Sequence, residues 1–450
     1  MRMPRRTLAF SVLALALLGS ASAQQSQAPQ LGPAPRVTDP RTLATSVPEQ
    51  FVPALAPVDR SSREAVVDLY NSVYLPALST PHQWTGSVPG CHAGTTSAAY
   101  LEDTMNMVNF FRAMVGLPAS LPHVATKDAK SQQAALMMTA NNSLSHFPPT
   151  SWKCYTTDGA EAAGQSNLAL GISGAAAIAL YIEDPGANNT ALGHRRWILY
   201  PRQTEMGAGS TDRSNTLWVI GNFGSRPAHP EFVAWPPDGF VPFDLVYPRW
   251  SFAVNTASTV SMTSASVAMT LNGSPISLTV LVNETGYGDN TLAWEPHALS
   301  FTAGAPDQVV TVAVQDVLVG GVSKNYSYTV TVIDPALSPA PPPPTFTDPS
   351  LQAGTTIVRA VHFTELRQAI GELRMRHGLP AFSWTDPTLT PGATVIKAVH
   401  VAELRQALAD VYTAAGQTPP AYTTPSLSAG SSAVAAVHIA ELRAAVLAIW

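Results

Sequence analysis

Cys91 and Cys154 are the only cysteines in 450 residues. Two are too few for a disulfide-dense scaffold or a cysteine-built metal cluster. Charge is equally sparse: Lys and Arg number 25, Asp and Glu 30, and charged residues make up 12% of the chain, for a net charge of −5. No basic stripe is available to neutralise phosphates, so neither nucleic acid nor an anionic membrane surface is an expected partner. Past the N-terminal segment, no run reaches the eighteen or more consecutive apolar residues of a spanning helix, so no membrane span is expected. Absent too are His-Glu-x-x-His and Gly-x-Ser-x-Gly, the patterns of a helix-borne zinc hydrolase and of a serine nucleophile elbow.

What is present begins with Arg2, Arg5 and Arg6, followed by an apolar run from Leu8 to Leu18 and the small residues Ala21-Ser22-Ala23. This order predicts a secretory signal peptide over 1–23, cleaved before Gln24, and hence a secreted product, extracellular or periplasmic. In an oxidising compartment Cys91 and Cys154 are expected to pair, closing a loop worth about 4 kcal/mol in the chain-entropy model. Residues 24–60, rich in Gln, Pro, Ala and Thr without periodicity, predict a flexible leader. The run Pro339-Ala340-Pro341-Pro342-Pro343-Pro344 makes 337–347 a Pro-rich linker holding its flanks apart.

Three folded regions are expected between and after these segments. In 61–228, Leu101, Met105, Val108, Phe111 and Val115 recur at the spacing of one buried helix face, which Gly116 ends. Further helices are expected over 127–140 and 175–181, and Trp197-Ile198-Leu199 and Leu217-Trp218-Val219-Ile220 read as buried strands, giving a sheet between helical layers. In 229–336 the period changes to two: Val267, Met269 and Leu271 alternate up to Asn272-Gly273, and Ile276, Leu278, Val280 and Val282 alternate after it. Val310, Val312, Val314 and then Tyr326, Tyr328, Val330, Val332 continue the pattern, predicting an immunoglobulin-like β-sandwich. In 348–450, Val361-His362-Phe363-Thr364-Glu365-Leu366-Arg367 recurs from Val399 and again from Val437, a period of 38 residues. Each copy heads a helix with a narrow apolar stripe that cannot form a core alone, so three copies are expected to pack as a small all-α array.

The first folded region carries the most specific signal. Asn109-Phe110-Phe111-Arg112-Ala113-Met114-Val115-Gly116-Leu117, then Leu144-Ser145-His146, then Gly193-His194-Arg195-Arg196-Trp197-Ile198-Leu199, resembles the CAP superfamily (cysteine-rich secretory proteins) in its bacterial extracellular branch. The resemblance implies an α-β-α sandwich, an α+β fold, with a cleft lined by two histidines and two acids. Carried over, these are His146, His194, Glu161 and either Glu183 or Asp184. The sequence departs from the family where Arg195 and Arg196 follow the second histidine, and where Tyr181 stands in place of the usual Trp.

Two imidazoles and two carboxylates have three readings. His146 and His194 with a carboxylate can hold zinc. A His paired with Glu can act as general base beside Ser145 or Ser166. The same groups can also satisfy one another as a buried polar network. Two cations beside His194 oppose a bound dication unless strand alternation turns one of them outward. The repeated His-x-x-Glu places His362 and Glu365, and their counterparts, on adjacent helix positions, a spacing read as capping and ion pairing between copies rather than as metal ligation. The expected function is therefore that of a secreted binding or interaction protein. Its cleft would take a small ligand or divalent metal, and its C-terminal copies would meet a cell-surface or extracellular partner. A metal- or Ser-dependent hydrolase is the rival reading.

Overall fold

Small residues decide how closely the layers of the first region approach. A computed structural model describes residues 28–37, 55, 57–281, 283–337, 343–352, 355–427 and 433–450; the expected signal peptide lies outside them. The first elements are β1 (Gln30–Leu31), α1 (Arg63–Leu69), α2 (Leu75–Ser79), α3 (Ala98–Met114), α4 (Ala125–Asn141), α5 (Thr157–Gln165), β2 (Ser166–Leu170), α6 (Gly174–Glu183), α7 (Gly193–Ile198), β3 (Gly207–Ser210) and β4 (Ser214–Trp218). Ser97 caps α3 by accepting the Tyr100 amide at 3.2 Å, and Gly116, at φ +75, ends the helical path. An antiparallel sheet runs in the order β1-β2-β4-β3.

Alternation along the strands divides the sheet between two helical layers. Leu168 and Trp218 pack with Met137, Met138, Ala162 and Ala163 of α4 and α5, while Ala169 and Leu217 join Met105, Val108, Ile178 and Tyr181 of α3 and α6. A Cβ at Gly209 of β3 would stand 2.2 Å from the Gln132 amide nitrogen, so only glycine lets α4 lie this close to the sheet. One expected strand is not there: Trp197 and Ile198 belong to α7, and Leu199 ends it. Three apolar residues are too short a run for period to distinguish strand from helix. Arg195 and Arg196 are accordingly not split by strand alternation, and both are buried.

The following strands are β5 (Phe232–Trp235), β6 (Gly239–Pro242), β7 (Trp250–Val254), β8 (Val260–Ser261), β9 (Ser266–Leu271), β10 (Ser274–Ile276), β11 (Leu278–Val280), β12 (Thr291–Pro296), β13 (Gln308–Val319) and β14 (Val322–Ile333). They form one sheet ordered β10-β9-β13-β14-β6, with β8 also on β13, and a second ordered β11-β12-β7-β5. The expected hairpin at Asn272-Gly273 joins β9 to β10, but its second arm breaks at Ser277, after which β11 pairs in the other sheet. The β14–β6 pairing is parallel, so the larger sheet is mixed. No gap in packing separates these strands from the helical layers. Phe111 of α3 meets Trp235 of β5 with ring centroids 5.1 Å apart, and one apolar core runs through both. The change of period near 228 marks a change of secondary structure inside one compact unit, residues 1–338.

The second unit, residues 339–450, is built on α8 (Ala360–Arg376), α9 (Ala398–Ala414) and α10 (Ala436–Ile449). Phe363, Leu366 and Ile370, with Val401, Leu404 and Leu408 and with Ile439, Leu442 and Val446, form its core. At the third position of each helix, His362, His400 and His438 accept the amide of Arg359, Lys397 and Ala435 through Nδ1, at 3.2 Å in all three. Their Nε2 atoms face Asp348 at 3.1 Å, Asp386 at 2.8 Å and Thr424 at 3.4 Å.

Candidate functional site around the two histidines

Asp184 is set by the end of α6. It takes the left-handed conformation (φ 55, ψ 53), which Asp tolerates better than most residues, and this turns its carboxylate toward the start of α7. There it accepts the His194 imidazole Nδ1–H at 2.7 Å, the His194 amide at 3.0 Å and the Arg195 amide at 3.4 Å. Tyr181 stacks on the imidazole, with centroids 5.4 Å apart, and donates its hydroxyl to the main chain of Asn167 and Asn215. His194 and Asp184 are both fully buried, and His194 Nε2 has no hydrogen-bond partner among the described residues. Of the two acids left open by the sequence, Asp184 is the one paired with His194. Glu183 is half-buried; burial pushes its carboxyl above the usual range, opposed by the charge of Arg195, and its main-chain carbonyl accepts Arg195 Nη2 at 3.2 Å.

His146 makes its hydrogen bonds outside this pair. Its Nδ1 lies 2.6 Å from the Ala163 carbonyl oxygen and its Nε2 2.6 Å from that of Pro33, so neither nitrogen turns a lone pair toward a ligand. Glu161 joins neither histidine: it lies on the exposed face of α5 and pairs with Lys130 at 2.6 Å. Neither candidate hydroxyl engages an imidazole. Ser145 Oγ accepts the Phe147 amide at 3.1 Å, and Ser166 Oγ is buried with no hydrogen-bond partner among the described residues. Among the described residues no three His, Cys, Asp or Glu side chains gather in a way that would hold a metal. This donor set does not fit zinc, which needs deprotonated ligands converging on one point.

The two arginines beside His194 do different work from the one expected of them. Arg195 donates to the carbonyls of Ile182 and Glu183 and to Ser251 Oγ of β7; Arg196 donates to the carbonyls of Ala191, Glu284 and Asp289. They tie α7 to the strands that follow. A second feature escaped sequence reasoning, because it lies in the expected flexible leader. Residues 30–37 are packed against the helical layers and the loop before β12. Gln30 and Leu31 pair with Leu170 and Ala169 at the open edge of β2. Pro33 meets His146 as described, and the Pro35 carbonyl accepts Trp197 Nε1 at 2.7 Å. Ala34 is buried against Gly193, where a Cβ would stand 2.5 Å from the Ala34 Cβ. Val37 donates its amide to Gly286 at 3.0 Å, and Arg36 and Arg196 both lie over the Tyr287 ring, at 5.1 and 5.3 Å.

A sheet between two helical layers, with a buried His–Asp pair at one side and a second histidine bonded to the strap, makes this an α-β-α arrangement. Residues 105–223 match the family described as CAP, cysteine-rich secretory protein family. The chain therefore carries a CAP domain in its middle, and His146, Asp184 and His194 fall inside it. The strap and Tyr287 fall outside it. Among curated proteins nothing matches the chain.

The cysteines are joined as a disulfide, Cys91–Cys154, with Cα atoms 5.0 Å apart. No helix among the described residues is long and apolar enough to cross a membrane.

Proposed function

We propose that this is a secreted multidomain interaction protein whose CAP domain serves as a binding module and not as a hydrolase. One observation carries this reading: the two histidines serve no shared reacting point, since both His146 nitrogens face main-chain carbonyls, while the fully buried His194, held at Nδ1 by Asp184, has among the described residues neither a serine hydroxyl nor a cluster of metal-ligating side chains at its free Nε2. A general base needs a nucleophile within hydrogen-bond reach, and zinc needs several ligands converging on one point. Export is supported by the CAP match, whose family is commonly secreted, and by the disulfide. In this reading the two sheets are an immunoglobulin-like sandwich that stiffens the domain. The three helices form a repeat module for attachment to a cell-surface or extracellular partner.

Elemental analysis of the purified chain, together with turnover assays on peptide and ester substrates, tests the reading. No stoichiometric zinc is expected, and no turnover that separates wild type from His194→Ala. Hydrolysis lost in His146→Ala or His194→Ala would establish the hydrolase instead, whereas stoichiometric zinc lost in both variants without turnover would establish a metal site.

A further inference from the structure

We propose that the space between His146, Gly193, Trp197 and the edge of β2 is a groove for extended proline-containing peptides, and that residues 30–37 are its resident, self-supplied occupant. The inference rests on the binding reading above and names the class of ligand. Its partner is an extended segment of another polypeptide with a small residue between two prolines, as in Gly32-Pro33-Ala34-Pro35.

Beside the apolar packing of Ala34, Leu31 and Val37, the contacts include directed hydrogen bonds to the main chain of the segment. Strand addition at an exposed sheet edge fixes an incoming chain by its main chain, and β1 does this on β2 with two register positions, Gln30↔Leu170 and Leu31↔Ala169. The next donors, His146 Nε2 and Trp197 Nε1, reach the carbonyls of Pro33 and Pro35. Proline has no amide hydrogen to satisfy, so an extended Pro-x-Pro run brings a main-chain donor only at its middle residue, and two side-chain donors two residues apart match the proline carbonyls. Two side chains of this run, Ala34 and Pro35, are buried. Ala34 enters beside Gly193, where any residue larger than glycine on α7 would collide with it, while Pro33 is exposed. The far wall comes from outside the CAP match: Tyr287, Gly286 and Glu284 hold Val37 and Arg36, with Arg36 and Glu284 ion-paired at 2.6 Å. Recognition through carbonyls and two small buried side chains does not require the occupant to belong to the same chain.

A tethered occupant competes at an effective concentration on the order of millimolar, so the intact protein should refuse the same peptide in solution. The test inserts a specific protease site between Thr45 and Ser46 of the full chain and follows polarisation of a fluorescein-labelled peptide with the sequence of residues 30–37. After cleavage, uptake of the labelled peptide is expected to strengthen by at least about tenfold over the uncut protein. A peptide with tryptophan at the Ala34 position should not bind. The proposal falls if the cleaved protein sheds its N-terminal fragment, keeps its circular dichroism and takes up no peptide. It falls equally if mass spectrometry shows the fragment never exchanging, since that marks a fixed structural strand. Should cleavage unfold the protein, Ala34→Arg in the uncut chain repeats the test by wedging the occupant out: a folded variant that binds the peptide supports the groove, and one that fails to bind or to fold overturns it. These outcomes are read by polarisation and leave the zinc and turnover tests untouched, so the groove can fail while the binding reading stands.

Discussion

Single residues show how this chain, poor in charge, handles the charges it buries. Arg112, Arg195 and Arg196 are each pushed below the usual guanidinium range by burial, and each is met chiefly by main-chain carbonyls; Arg112 takes those of Pro118, Ile198 and Tyr200. Carbonyls at helix and loop ends carry partial negative charge and would otherwise lack donors, so the arginines satisfy them while losing their own water. The three helix-start histidines solve a smaller version of the same problem, and one of them differs. His362 and His400 have a carboxylate at Nε2, whereas His438 has only Thr424. Burial, reinforced by the charge of Arg405 and opposed by Glu441, pushes His438 below the usual imidazole value. A base with a depressed folded pKa is protonated in the unfolded chain first. Its contribution to stability is therefore whole above the ordinary pKa of about 6.5 and is lost as pH falls below it. The melting temperature of the second unit should fall between about pH 7 and pH 5.5 on this account. Thr424→Asp, which gives His438 the partner its counterparts have, should flatten that fall and add about 0.5–1 kcal/mol near neutral pH. Thermal melts across this range check both, and an unchanged slope in the variant would count against the account.

Elements extend the same logic to closure. Arg367 of α8 donates to the Asp386 carbonyl at 2.7 Å, Arg405 of α9 to that of Thr424 at 2.6 Å, and Arg443 of α10 back to that of Asp348 at 2.8 Å. The guanidinium groups lie 4.5, 4.0 and 4.7 Å from the rings of Trp384, Tyr422 and Phe346, in the same cyclic order. The three helices therefore close on themselves, where a stacked array would leave two ends open. In an open array Arg443 would have no next copy to hold, and replacing it would be nearly silent. The ring predicts instead that Arg367→Ala, Arg405→Ala and Arg443→Ala each cost about 1–2 kcal/mol, equal within about 0.5, in denaturant unfolding. The 38-residue period and each helix's stripe were legible in the sequence, because both are local. Closure was not, since a stripe says that a helix needs a neighbour and not which one. The same divide runs through the first unit. Helix α3 follows from periodicity, but the choice of Asp184 over Glu183 is made by a left-handed turn. The strap's Pro-Ala-Pro reads as coil until His146 and Trp197, more than a hundred positions away, are placed on its carbonyls.

At the scale of the whole molecule each unit has its own apolar core among the described residues, that of the first in two clusters and that of the second built on the three helices and the segments between them. Both cysteines lie in the first. Their bond links the turn around Cys91, where Ser87 and His92 pair as an isolated bridge, to the turn that precedes α5, and it closes a loop with a sequence separation of 63 that contains α3 and α4. Cross-linking a loop of this length removes unfolded-state freedom worth about 4 kcal/mol, and none of that constraint reaches the second core. Calorimetry of the full chain should resolve two transitions, because cooperative unfolding follows contiguous cores. Reductant should then lower the first by about 10 °C, taking about 2–4 °C for each kcal/mol lost by a unit of this size, and leave the second where it was. Cys91→Ser with Cys154→Ser should reproduce the shift without reductant. A single transition moving as one, or a second transition that shifts with the first, would show that the two cores unfold together and that the bond stabilises both.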